Sequence, residues 1–178
     1  WNDRRDYDLE RSRSYQFVSP DITGAEDLDA YGQWNYDPAY GYVWAPNVPA
    51  TWAPYRNGRW VWEDFYGWTW VSYEPWGWVP YHYGRWAWCG SRWCWVPTVG
   101  FSVGGGGWGW SPHLVVFYGW GGGGYYPGYR DGRHGWYGWT PLGPRDRHYG
   151  NGPITVTNVR SLDNYNAPGG VSMMESRH

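Results

Sequence analysis

Few side chains in this sequence could do chemistry. Cysteines stand at positions 89 and 94, and histidines at 82, 113, 134, 148 and 178. None falls at a metal-binding spacing. There is no His-Glu-x-x-His and no Cys-x-x-Cys, so neither a zinc site nor a dithiol oxidoreductase is expected. His82 stands where Arg56 stands in an internal repeat, which reads as a tolerant surface slot. His134 and His148 lie in Gly- and Arg-rich loops. Two carboxylates can flank a glycosidic bond, but Glu63-Asp64 and Asp27-Asp29 read as solvated turn residues. Glu74 is the best-placed lone acid and reads as a loop residue. No nucleophile, histidine and acid form a set, so the sequence predicts no catalytic residue, no metal and no cofactor.

Aromatic rings are what the chain has in excess. Of 178 residues, 19 are Trp and 18 are Tyr, and aromatics make up 23%. Leu, Ile, Val and Phe together number only 25. Most Trp must therefore pack on one another as the core. Rings left outside could stack on sugars, surround quaternary amines, or anchor protein interfaces together with Arg. The non-stripe positions in turns and loops are the candidates for such binding: Tyr55, Arg56, Trp76, Tyr81, His82, Tyr83, Trp120, Tyr125 and Tyr126. The 14 basic residues are all Arg, against 16 acidic ones. That balance is no footprint for nucleic acid. The longest apolar run, Leu114 to Tyr118, is far too short for a membrane helix. Trp and Tyr do suit a membrane–water boundary, so peripheral membrane contact is kept open. The chain begins at Trp1, which reads as a processed product or a fragment.

The elements that would carry these rings are short strands. Gly41-Tyr42-Val43-Trp44 recurs as Gly67-Trp68-Thr69-Trp70, Trp52-Ala53-Pro54-Tyr55 as Trp78-Val79-Pro80-Tyr81, and Gly58-Arg59-Trp60-Val61-Trp62 as Gly84-Arg85-Trp86-Ala87-Trp88. One offset relates all three blocks, so one supersecondary unit is used twice, at 41–66 and 67–92. Arg92 to Pro97 looks like a degenerate third start and Gly109 to Pro112 like a fourth. Within each block Trp alternates with smaller or polar residues, the period of an antiparallel strand. Residues 41–97 are expected to form a meander of six or seven strands. The fold class is all-β, with at most one short helix, over Ala25 to Ala30, capped by Thr23 and stopped by Gly32. Leu114 to Tyr118 reads as a buried strand, Trp136 to Arg145 as an irregular packed loop, and Ile154 to Val159 as a strand. The glycine tracts at 104–107 and 121–124 read as flexible connections. In domain terms, 1–16 is a charged tail, 17–160 a Trp-rich β domain, and 161–178 a loose C-terminal segment.

The cysteines have two readings. A two-residue turn at Gly90-Ser91 sets them diagonally on one face, a little far for a bridge. A four-residue loop sets them directly opposite. In an oxidising compartment a disulfide is favoured; otherwise they are small apolar residues beneath Trp rings.

Several motifs, in this order, resemble a bacterial family of exported, Trp-rich, YXWXXW-like repeat proteins of unknown function. They are Val18-Ser19-Pro20-Asp21, Glu26-Asp27-Leu28, Tyr31-Gly32, the doubled Trp-Ala/Val-Pro-Tyr and Gly-Arg-Trp blocks, and Pro112 with Leu114-Val115. Trp139-Thr140-Pro141-Leu142-Gly143-Pro144-Arg145 and Asn166-Ala167-Pro168-Gly169-Gly170-Val171 complete the set. The resemblance implies export from the cytoplasm and a repetitive β architecture. It implies no catalytic residue. Cys89 and Cys94 depart from the family pattern. Composition and resemblance together lead to a non-enzymatic, extracytoplasmic accessory subunit that docks on a larger envelope or membrane-bound assembly through aromatic and Arg-rich surfaces. The alternative is a module that binds envelope glycan on exposed Trp and Tyr platforms.

Overall fold

The computed structural model describes residues 11–97, 109–120, 136–147 and 159–175. Among the described residues nine antiparallel strands, two five-residue helices and a 3-10 turn at Ser14–Gln16 make an all-β fold. The elements run α1 (Asp27–Tyr31), β1 (Gly32–Asp37), β2 (Gly41–Pro46), β3 (Gly58–Glu63), β4 (Gly67–Ser72), α2 (Trp78–His82), β5 (Arg85–Cys89), β6 (Arg92–Val96), β7 (Val115–Trp120), β8 (Trp136–Pro141) and β9 (Ser172–Glu175).

Three hairpins dominate, starting at Gly32, Gly58 and Gly84, 26 residues apart. The unit therefore occurs three times, beginning upstream of Gly41 and Gly67. Each hairpin sets aromatic pairs directly across its two strands. The inner pairs are Trp34–Trp44, Trp60–Trp70 and Trp86–Trp95. The outer pairs are Tyr36–Tyr42, Trp62–Trp68 and Trp88–Trp93. The first two hairpins close with three-residue loops followed by a glycine at φ +76°, Gly41 and Gly67. That is a left-handed position which a side chain resists. The third closes in two residues, Gly90-Ser91, so Arg92 can stand where the others need glycine. The missing loop residue is why this copy looked degenerate in sequence.

The strands do not form a meander. β1, β2, β6 and β5 form one sheet in that order, β3 and β4 pair only with each other, and β7, β8 and β9 form a third sheet. The first and third copies are joined through the single pair Trp44–Trp95, and the second is left out. In the four-stranded sheet the Trp side faces the main core. The other side is lined by Val43, Ala45, Ala87, Cys94 and Val96. The main core is aromatic, with Trp44, Tyr55, Tyr81, Trp86 and Trp95 fully buried.

Four local expectations are corrected. Trp78–His82 is a second helix. Pro80 fits because the first turn of a helix leaves its N–H groups unpaired anyway. α1 begins at Asp27 without a side-chain cap, so Thr23 does not cap it. Trp136–Pro141 is a strand between β7 and β9 rather than a loop. The C-terminal segment is held: Ser172–Glu175 pairs with β8, and the exposed Arg56 donates to the carbonyls of Gly169 and Val171, both at 3.1 Å. Its polar composition hid this, because main-chain bonds do not depend on side-chain type. Val115, Val116 and Tyr118 are buried in β7, as their run suggested. The end of the charged tail is also anchored, with Ser12, Arg13 and Ser14 donating to the Asp29 carboxylate. Residues 1–10, both glycine tracts and 151–158 lie outside the described residues.

Candidate functional site

Most of the residues singled out for binding are structural. Tyr55 is fully buried and has φ +59°, the one non-glycine residue at positive φ among those described. Its hydroxyl donates to the Tyr81 carbonyl (2.8 Å) and accepts from the Leu114 N–H (3.1 Å). Its own carbonyl accepts from Trp139 Nε1 (3.0 Å). Burial drives its phenol pKa upward, so it stays a neutral hydrogen-bonding post. Trp76 and Tyr81 stack inside the same core. Tyr81 also donates to Glu74 (3.1 Å), whose carboxylate accepts from Trp52 Nε1 and the Ser72 hydroxyl as well. Glu74 is thus a tie between loop, strand and helix.

His82 is buried rather than superficial, with Nδ1 2.7 Å from the Ser111 carbonyl and its ring stacked on Trp110. Desolvation lowers its pKa, with backbone hydrogen bonds opposing. These four residues were expected at the surface because they break the Trp alternation. They break it because they form the connections beneath the hairpins, and those connections are the centre of the core. Arg56 is exposed but spends its guanidinium on the C-terminal segment, and Tyr83 is half-buried against the core. Trp120 ends β7, and Tyr125 and Tyr126 lie outside the described residues.

Tyr31, Tyr36, Tyr42, Tyr73 and Trp78 are exposed at scattered places, and three exposed rings gather at the end of β3–β4. Phe65, in the loop, is 92% exposed, Tyr66 51% and Trp62 50%. Trp62 meets Trp68 edge to face (5.7 Å, 78°), Phe65 meets Tyr66 (5.6 Å, 71°), and Tyr66 meets Trp110 (4.8 Å, 68°). Glu63 and Asp64 are exposed beside them. Nothing in the Trp alternation marks this copy as bare, since Trp62 and Trp88 occupy equal positions. The signal lay in the opposite strand face. Arg59, Val61 and Glu63 face outward here, whereas Arg85, Ala87 and Cys89 in the third copy turn towards a covered layer of small residues.

The outer pair of the third copy is covered by its own chain, and that of the first only in part, Tyr36 being 69% and Tyr42 48% exposed. Phe17 packs on both Trp34 (4.6 Å) and Tyr42 (4.5 Å) of the first hairpin. In the third, Trp93 is buried and its Nε1 donates to the Pro168 carbonyl (2.9 Å). The equivalent donor in the second copy, Trp68 Nε1, is buried without an acceptor.

Among the described residues no cluster of three His, Cys, Asp or Glu could hold a metal ion, and no helix is long and apolar enough to cross a membrane. Cys89 and Cys94 are unbridged. Residues 25–146 match a family of unknown function, DUF6600. No curated protein and no solved structure matches the chain.

Proposed function

Since the chain belongs to DUF6600, a family of unknown function, its role has to be read from its own surface, and we propose that it is a non-enzymatic accessory subunit that docks on a larger protein assembly through the β3–β4 tip. One observation carries this reading. Of the three hairpin tips, that of β3–β4 carries the most exposed large ring, Phe65 at 92%, with Trp62 and Tyr66 half-exposed beside it. The first tip exposes only its Tyr36–Tyr42 pair, and the third is covered by the Pro168 segment. Burying large rings is favourable by roughly 25 cal/mol per Å², and Trp and Tyr are the side chains that anchor interfaces. The occupant is a protein segment of stated character. It is apolar at its centre and carries Arg or Lys opposite the exposed Glu63 and Asp64.

The acidic flank also argues against an anionic lipid surface as the occupant. Glycan binding has less support. Sugar faces stack on flat platforms, and the exposed rings here meet edge to face at 68–78°. A site outside the cytoplasm, on an envelope or membrane-bound assembly, completes the reading and rests on the family resemblance.

The test is gentle extraction of the native protein, followed by sizing and mass spectrometry of what travels with it. The tip variant Trp62→Ala/Phe65→Ala is run beside a Tyr36→Ala control on the first hairpin. Co-migration kept by the control and lost by the tip variant supports docking. A lone species of about 20 kDa for all three overturns it.

A further inference from the structure

Independently of the docking tip, the third hairpin places two thiols together. Cys89 pairs with Arg92 and Ala87 with Cys94, so both cysteines point to one face as diagonal neighbours. Both are free. Cys89 is half-buried at the strand end, and Cys94 is buried among Val43, Ala45, Ala87 and Val96. The Cys89 thiol donates to the Ala87 carbonyl (3.9 Å), and the neighbouring Cys94 thiol, with burial, pushes the Cys89 pKa up while the Cys94 pKa is lowered. Cys89 packs against the cluster that holds Cys94, so one thiol is half open to solvent and the other lies behind it. Asp37 and Arg92 are the charged groups acting on the pair, Asp37 opposing a thiolate on either sulfur and Arg92 favouring one on Cys94.

We propose that Cys89 and Cys94 form a labile dithiol–disulfide couple that reacts with small disulfides, Cys89 being the entry sulfur and Cys94 the resolving one. Cys89, the sulfur that solvent reaches, gives up its proton and attacks one sulfur of the small disulfide, expelling the other half, which takes up a proton and leaves as a thiol; the raised Cys89 pKa makes this the slow step. The Cys94 thiolate then attacks Cys89 Sγ, and the second half leaves as a thiol. Two protein thiols are oxidised, and one small disulfide is reduced to two thiols. Lability follows from the register. Diagonal neighbours across a hairpin are usually about 7–8 Å apart at Cα, while relaxed disulfides hold Cα atoms within roughly 4.4–6.8 Å. Closing the bond must therefore change the twist of β5–β6. The ring closed is also small, so it adds little loop entropy. Cys94 precedes Trp95, whose pairing with Trp44 is the one strand-ladder pair between the first and third hairpins, so the twist change is transmitted to that junction.

The test treats the whole protein with oxidised glutathione. The expected product has lost two hydrogen masses, has no alkylatable thiol and shows altered near-ultraviolet circular dichroism. Reduced glutathione then restores both thiols. Cys94→Ala should stop at a stable glutathione adduct on Cys89, and Cys89→Ala should react about tenfold or more slowly, because its remaining thiol is buried. A lasting adduct on the unmodified chain, crosslinked dimers, no reaction at all, or a bond that reduced glutathione leaves closed would each overturn the proposal.

Discussion

The second and third hairpins are built from almost the same residues, Gly58-Arg59-Trp60-Val61-Trp62 and Gly84-Arg85-Trp86-Ala87-Trp88, at the same register. Yet Arg59 is exposed where Arg85 is 2% exposed. Trp62 is half out in solvent, while in the third copy Trp93 beside Trp88 is sealed by the Pro168 segment. The repeat thus fixes a local shape, two aromatic pairs across a tight turn. It does not fix what the shape is for. That is decided by the opposite strand face. Small residues at Ala87, Cys94 and Val96 let the third copy join the sheet, and Arg59, Glu63 and Thr69 keep the second apart.

The sharpest way to break this contrast is truncation of a core ring of the third copy against an outer ring of the second. Trp95→Ala should cost about 3–5 kcal/mol, the range for deleting a fully buried aromatic ring, whereas Trp62→Ala should stay within about 0.5 kcal/mol. Chemical denaturation of both variants tests it, and equal losses would erase the distinction between core hairpin and exposed hairpin. Next comes Gly84→Ala. A Cβ there would lie 2.5 Å from the Val96 carbonyl oxygen, on a backbone at φ +64°, whereas at Gly41 it would meet open space. A loss of about 2–4 kcal/mol is expected at Gly84, and about 1–2 at Gly41 from φ alone.

Phe17→Ala should cost about 2 kcal/mol, since a half-buried ring is lost, and should expose Trp34, which Phe17 covers at 4.6 Å. Binding of a hydrophobic dye would rise if that is so. Arg56→Ala removes two hydrogen bonds to the C-terminal segment, for about 1–2 kcal/mol, and should speed amide exchange in β9 while leaving β3–β4 unchanged.

The smallest effect is electrostatic. His82 has a lowered pKa in the folded chain, so the unfolded chain binds its proton first as pH falls. Its contribution is complete above the ordinary value near 6.5 and is lost as pH drops from there through the folded value. His82→Gln should flatten thermal stability over that window, and an unchanged slope would show that other groups carry it.

The sequence made the strands legible, because Trp alternation is a period-two signal that survives any packing. Gly90-Ser91 was legible as a two-residue turn, and with it the diagonal cysteines. It was less informative about which copy would be covered. Trp62 and Trp88 look alike until Phe17 and Pro168, residues far along the chain, choose their partners. The inversion at Tyr55, Trp76, Tyr81 and His82 has the same origin. A connection is usually at the surface, but here three hairpins fold back over their own connections, and a break in alternation marked the centre of the core.

The bonds from Arg56 to Gly169 and Val171 span 113 and 115 residues of chain. Each Trp hairpin can close within its own short stretch, on the microsecond scale of such turns. The clasp must wait until a loop of more than a hundred residues has been drawn in, an entropic step that slows folding. The third sheet is therefore the last part of the molecule to be sealed, and an arriving chain carries its aromatic hairpins formed before its own end is in place to cover them.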